Sequence, residues 1–269
     1  MQDACPHPLV RRGLELHMLQ RGSGSRQACL RFYGELNDHL PPEARQCAAR
    51  IRFDVPPTAK SAIEAFGVPH VEVARIDRGG EGMQFSDRIS PDDRIAVYPV
   101  FRTFDIANAG IGWGELPHPL RFLADLHLRK LARLLRLLGI DTEIGQTDAD
   151  LSSESIVDRR VLLTRDRKLL MRRELAHGYW VRSTDPIAQV VEVTRRFRLA
   201  PQIKRLQRCP VCNGMLHPVA KIEVESRLPP KTARWLDDYM QCERCGKLYW
   251  RGTHMKRINQ MLDRVASQV

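Results

Sequence analysis

Apolar and polar positions alternate along the first third of the chain. Residues 28–32 and 51–55 read as strands in which every second side chain is apolar. Thr58 then stands as an N-cap ahead of an amphipathic stretch whose apolar members are Ala62, Ile63, Ala65 and Phe66. Gly67 sits where a helix stops, and Pro69 blocks its continuation. Residues 71–76 predict a third strand, 78–82 a turn, 83–85 a short strand and 95–100 the last strand of this part. From residue 118 the pattern changes. Residues 120–124 form a continuous apolar strand. Residues 126–138 predict a helix, with Leu128, Leu131, Leu135 and Leu138 on one stripe, Leu134 widening it and Gly139 closing it. Strands at 140–144, 161–164 and 179–182 alternate with helical stretches around 152–157, 168–176 and 185–197.

Strands alternating with helices predict an α/β unit, a mainly parallel sheet with helices on its faces and its site beyond the carboxyl ends of the strands. The front part has the order ββαβ(β)β, one helix after a hairpin, which resembles the β-grasp, ubiquitin-like fold. The expected organisation is a flexible tail over 1–26, containing Arg21-Gly-Ser-Gly-Ser-Arg26, then a β-grasp domain over 27–104 and a Gly/Pro linker over 105–117. An α/β domain over 118–200 and a cysteine-bearing segment with a C-terminal helix over 201–269 follow. No run approaches the roughly 18 apolar residues of a membrane span; 126–138 is interrupted by Arg129, Lys130, Arg133 and Arg136. The N-terminal residues lack the apolar core of a secretory signal, so the expectation is a cytoplasmic protein with no membrane partner.

The formal charge is +11, and its distribution is uneven. Residues 1–117 hold 14 Lys+Arg against 15 Asp+Glu, residues 118–200 hold 16 against 11, and residues 201–269 hold 13 against 6. A neutral front and a basic back suit a polyanion as the partner of the back half. Solubility alone is the bland explanation. Four of the seven cysteines form two CxxC pairs, Cys209/Cys212 and Cys242/Cys245, each followed by a small turn residue. This is the spacing of a closed, tetrahedral, structural zinc site. Tyr249, Trp250, Arg251 and His254 beside it form an aromatic and basic group that suits either base stacking or packing of the ribbon's end.

Three strands deliver an acid at their ends: Asp125, Asp166 in LLTRD, and Asp185. If these strands are parallel neighbours, the carboxylates converge on one rim. Asp148, Asp150 and Glu154 lie between the first two. A cluster of carboxylates without His or Cys suits Mg²⁺ or Mn²⁺. Each Asp at a strand-to-helix junction also reads as an ordinary N-cap. Arg129, Arg133 and Arg136 share a face of the helix after Asp125. Lys130 and Arg133, nearest its start, and Arg165 and Arg167, flanking Asp166, are the further candidates for phosphate contacts.

FLADLHLRKLARLLRLLGID, VLLTRDRKLLMRR, HGYWVRS, RCPVCNGMLHPV and CERCGKLYWRGTH together resemble the PIN-like ribonuclease family of the mutator exoribonuclease C-terminal type, with its zinc ribbon. RFYGELNDHLPP, FGVPHVEV and DRIAVYPVF resemble the ubiquitin-like domain fused ahead of it in bacterial members. The resemblance implies a metal-dependent ribonuclease with Asp125 and Asp166 at the family's acidic positions. Asp150 and Glu154 compete for the intermediate position, and Asp185 is a further member. RNA is the implied partner, with a protein partner at the ubiquitin-like domain. The alternative is an RNA-binding adaptor without catalysis. Internal Gly79-Gly80 leaves no sulfur-carrier terminus.

Overall fold

The computed structural model describes residues 20–99, 116, 118–147, 151, 155, 158–228, 236–250, 259–260 and 262–263. The expected tail before residue 20, most of the linker, and Asp148, Asp150, Glu154, Arg251 and His254 lie outside the described residues. The chain divides into two units, Met1–Leu116 with Asp166–Tyr179, and Pro117–Arg165 with Trp180–Val269.

In the first unit, β1 (Gln20–Arg21), β2 (Arg26–Phe32), β3 (Ala48–Phe53), β4 (Val73–Arg78), β5 (Glu81–Gly82) and β6 (Arg94–Pro99) form one sheet in the order β1-β3-β2-β6-β4-β5. Strand β2 pairs antiparallel with β3 and parallel with β6, and β4 runs antiparallel to β6. Helix α1 (Ala59–Ala65) follows the first hairpin, and this is the β-grasp arrangement. Alternation decides which face is covered. Ala28, Leu30, Phe32, Ala49, Ile51, Phe53, Ile95 and Val97 are buried in one core with Ala62, Ile63 and Phe66. The Thr58 hydroxyl accepts from Ser61 N at 3.2 Å, so the expected cap is made.

Three strands of this unit are displaced. The one expected at 71–76 is Val73–Arg78, because His70–Glu72 forms a 3₁₀ turn, and two others move for local reasons. The second strand covers Ala48–Phe53 rather than 51–55, and Val55, next to Pro56, is 75% exposed. The short strand is Glu81–Gly82 rather than 83–85, because Gly79 and Gly80 both adopt positive φ and close a two-residue hairpin that pairs Arg78 with Glu81. A larger difference falls at 168–176. In place of a helix there is a single 3₁₀ turn, Leu169–Met171, and the chain becomes extended at Arg172. Within the first unit this segment is held by contacts outside itself. Arg167 Nη1 donates to His39 O at 3.0 Å, and His70 Nε2 lies 3.2 Å from Leu175 O.

The second unit holds β7 (Phe122–Asp125), β8 (Thr142–Gly145) and β9 (Val161–Thr164) in the sheet order β9-β7-β8, and Trp180, the last residue of β10 (Gly178–Trp180), falls in it as well. Strand β7 is parallel to both β8 and β9. Phe122, Leu123 and Ala124, and all four residues of β9, are fully buried, as strands covered on both faces require. The helix expected at 126–138 begins as a 3₁₀ turn, Leu126–Leu128, and continues as α2 (Arg129–Leu137). Leu128, Leu131, Leu135 and Leu138 are all buried, so the leucine stripe is the packing face. Helix α3 (Pro186–Arg196) packs against α2. Strands β11 (Leu216–Val219), β12 (Tyr239–Cys242) and β13 (Leu248–Trp250) form a small antiparallel sheet. Among the described residues no helix is long and apolar enough to cross a membrane.

Gly139 ends α2 with φ of +85°, and a Cβ there would strike the backbone carbonyl of Lys204. Gly139→Ala is therefore expected to lower unfolding free energy by about 2 kcal/mol or more, combining left-handed strain with displacement of that chain. A urea titration against wild type measures it.

Candidate functional site

Asp125 is the last residue of β7. Its Oδ1 accepts from His127 N at 3.2 Å, capping the 3₁₀ turn, and its Oδ2 accepts from Thr164 Oγ1 at 2.9 Å. The parallel register explains the second bond. Ala124 is paired with Leu163, so the next residues along, Asp125 and Thr164, emerge together at the carboxyl end of both strands. Thr164 is fully buried, which fixes its hydroxyl as an orienting group for the carboxylate. Its signal in the sequence is a hydroxyl closing the apolar run VLLT.

Asp166 follows two residues later, exposed, with Oδ1 accepting from Lys168 N at 2.8 Å. Asp185 is the N-cap of α3, its Oδ1 accepting from Ile187 N at 3.0 Å and Ala188 N at 2.9 Å. Asp125 and Asp185 thus make the capping bonds that their positions predict. Asp166 only closes a turn onto Lys168 N, since the 3₁₀ turn that follows has Lys168 as its N-cap and no side-chain cap. Glu192 on α3, which the sequence did not single out, accepts from Arg182 N at 2.8 Å and Ser183 N at 2.9 Å and so fixes the chain after β10. The oxygens at Asp125 are carboxylate and hydroxyl, a donor chemistry that fits a hard divalent cation.

The basic residues separate into two kinds. Arg129, Lys130 and Arg133 are exposed on α2. Arg136, expected on the same face, is 3% exposed. Its Nε donates to Thr142 O at 2.7 Å and its Nη1 to Val211 O at 2.8 Å, and Glu143 Oε2 lies 3.6 Å from Nη2. Seven residues at 3.6 per turn bring Arg136 back to within about 20° of the Arg129 line. What buries it is therefore the chain at Thr142 and Val211 that packs over this end of α2, and not a change of face. Arg165 Nη1 donates to the carbonyls of Val181, Arg182 and Ser183 at 3.2, 2.8 and 2.6 Å, and so binds backbone.

Among the described residues, Cys209, Cys212, Cys242 and Cys245 are the one group of three or more His, Cys, Asp or Glu whose ligand atoms lie within 4.8 Å of one another. Cys209 Sγ lies 3.7 Å from Cys245 Sγ, and Cys212 Sγ lies 3.4 Å from Cys242 Sγ. Four sulfurs about 2.3 Å from a common centre would be about 3.8 Å apart, so the cluster could hold zinc. Electrostatics agree. Burial raises the Cys209 thiol, but hydrogen bonds from Tyr249 Oη and the backbone N–H groups of Cys212 and Val211 outweigh it and bring it to about 6. Burial and the crowding of neighbouring thiols push Cys212 up to about 12. Four sulfurs this close ionise together only around a cation. Trp250 packs edge-on against Tyr239 at 6.4 Å, and the Tyr249 hydroxyl lies 3.0 Å from Cys209 Sγ, so both described aromatics belong to the ribbon's own packing.

The ribbon is joined to β8 by a polar network. Asn213, in a left-handed conformation just after Cys212, accepts from Thr142 N and donates to Asp141 Oδ1 at 2.8 Å and Glu143 Oε1 at 3.1 Å. Asp141 also receives Arg160 Nη1 at 2.7 Å and pairs with Arg208 at 3.2 Å. Burial alone would raise the Asp141 carboxyl, but hydrogen bonds from Arg160 and Asn213 and the charges of Arg160 and Arg208 hold it below the usual range.

The chain thus runs from a β-grasp, ubiquitin-like domain to an α/β sheet with an acid at the end of an inner strand, and on to a four-cysteine ribbon bonded to that sheet. A family model for the Mut7-C RNAse domain matches residues 120–262, and one for the Mut7-C ubiquitin domain matches residues 25–105. The first covers more than half of the 269 residues, and the chain belongs to the Mut7-C RNAse domain family. No curated protein and no solved structure matches it.

Two outcomes follow from the network. Arg136→Met removes the donor to the Thr142, Pro210 and Val211 carbonyls and one of the cations beside Glu143, and is expected to cost about 3 kcal/mol, with faster loss of zinc from zinc-loaded protein to a chromogenic chelator. Asp141 has a depressed folded-state pKa, so its contribution is complete above the unfolded value near 4 and is lost as pH falls through the lower folded value. Asp141→Asn is expected to be less stable at pH 7 and to lose less of its stability between pH 5 and pH 2 than wild type, as acid titration of the thermal midpoint would measure.

Proposed function

We propose that the chain is a metal-dependent ribonuclease that hydrolyses RNA phosphodiester bonds and works in the cytoplasm. The observation that carries this reading is Asp125, held by Thr164 at the carboxyl ends of two parallel strands, in a domain that the family model describes as an RNAse domain. Asp125 and Asp166 are the metal-holding carboxylates of the proposal, with Glu154, Asp150 or Asp185 completing the set. Mg²⁺ or Mn²⁺, when bound, supplies a Lewis acid and a water acidified toward hydroxide. The chain's own groups do the rest. Thr164 and the His127 N–H restrict the Asp125 carboxylate to one orientation. Exposed Lys130, Arg133 and Arg129 attract the phosphate backbone, and Arg165 and Arg167 fix the chain on either side of Asp166. The expected products are a 5′-phosphate and a 3′-hydroxyl. Cys209, Cys212, Cys242 and Cys245 hold a structural zinc in this reading.

One observation favours a second reading. Asp125 and Asp185 cap the turns that follow them and Asp166 closes a turn onto Lys168 N, which suits an RNA-binding adaptor in which these acids are structural. The adaptor binds RNA with steep salt dependence and without turnover.

Asp125→Asn and Asp166→Asn, purified with zinc retained, are each expected to lose more than about 100-fold in Mg²⁺- or Mn²⁺-dependent cleavage of RNA while binding it within a few-fold of wild type. Thr164→Val is expected to lose about 10- to 100-fold, as for loss of an orienting group behind a metal ligand. Cleavage at the wild-type rate by both Asn variants would reject the proposed site. Tight binding by the wild type with no metal-dependent turnover would select the adaptor.

A further inference from the structure

The outer face of the first unit's sheet concentrates arginine. Strands β2, β3 and β6 bury alternate residues toward α1 and turn the others outward: Arg31, Arg50, Arg52 and Arg94. Register brings them together. Cys29 on β2 lies opposite both Arg50 and Arg94, Gln27 opposite Arg52, and Arg31 between Ala48 and Ala96. Neighbouring strands are about 4.8 Å apart, so four guanidinium groups share a patch whose other members are small or neutral. Of the acids beside it, Asp77, opposite Ala96, is held by Arg75 at 2.7 Å, and Asp54, two residues beyond Arg52, accepts from Ser25 N at 3.0 Å. Among the described residues none of the four arginines has an ion pair, and Arg50 Nε is buried without a hydrogen-bond partner. Residues 1–117 carry 14 Lys+Arg against 15 Asp+Glu, so the patch reflects placement and not a basic domain.

At one end of the patch lies a column of flat groups. The rings of Tyr33 and Tyr98 stack with centroids 4.6 Å apart and planes 14° from parallel, and the Arg31 guanidinium lies 5.2 Å from the Tyr33 centroid. Both tyrosines are only half-buried. Cations spaced along an open sheet, with aromatic rings at its margin, match the two parts of an unpaired nucleotide, phosphate and base. An acidic peptide would use the arginines but not the rings.

We propose that this face binds single-stranded RNA, with Arg31, Arg50, Arg52 and Arg94 on phosphates and the Tyr33–Tyr98 column extended by a base. The ubiquitin-like domain is then an RNA platform, where the sequence had suggested a protein partner. The proposal does not depend on cleavage, and its test does not read cleavage.

The test uses the full chain carrying Asp125→Asn, a fluorescein-labelled 15-nucleotide oligouridine, and a 4-thiouridine version for cross-linking. Arg31→Glu with Arg52→Glu is expected to weaken binding at least about tenfold and to make the slope of log affinity against log salt shallower by about 1.4, two phosphate contacts at about 0.7 each. Tyr33→Ala is expected to cost about 5- to 100-fold and Tyr33→Phe less than about twofold. Cross-links are expected in the peptides that contain Tyr33 or Tyr98. Unchanged affinity and slope in the double variant, with cross-links confined to residues after 117, would overturn the proposal. So would a polyglutamate peptide that binds the face while the RNA does not cross-link there. Cross-linking on the chain without sheet substitutions decides the matter even if a variant fails to fold.

Discussion

A strand with parallel neighbours on both sides cannot be joined to either by a hairpin, so the chain must leave the sheet at each carboxyl end and return to the opposite edge. Strand β7 is in that position between β8 and β9. The constraint gathers the ends of inner strands along one rim, where the backbone has just stopped pairing and side chains have room to be polar. Asp125 and Thr164 meet there because the register leaves them no other place, and Asp125 can cap the following turn with one oxygen while Thr164 orients the other. Capping and ligation are compatible uses of one carboxylate, since it has two oxygens and about four lone-pair directions.

The ribbon is continuous with this sheet and is not a separate appendage. Arg136 leaves α2, passes beside β8 and ends on the carbonyls of the first cysteine knuckle, while Asn213 returns from the knuckle to Thr142, Asp141 and Glu143. Strand β8 is thus held between β7 on one side and the ribbon on the other. A metal in the four-cysteine cluster would stabilise the strand that borders the acidic rim, and its removal would be felt in the sheet.

Much of this was legible in the sequence. The leucine stripe of α2, the Thr58 and Asp185 caps, the VLLT strand and the cysteine pairs are local patterns, and each was found where its pattern placed it. What was not legible depends on partners distant in the chain. Arg136 shares a helical repeat with exposed arginines, and only the ribbon, some 75 residues away, shows that it is buried. The stretch 168–176 has helical composition, but its backbone is held from outside by His70 and by the extended path at Arg172. Thr164 and Glu192 do their work through hydrogen bonds to Asp125 and to the Arg182 and Ser183 N–H groups, and no periodicity announces those.

The contact between Arg136 and the knuckle has a consequence for how this protein can change. The guanidinium recognises the carbonyl oxygens of Pro210 and Val211, and the Val211 side chain is 52% exposed. The junction therefore constrains the path of that loop and leaves its chemistry open. Substitutions at Val211 can accumulate freely so long as the main chain still runs past the arginine, and the knuckle's outer surface is available for adaptation without loosening the sheet beneath it.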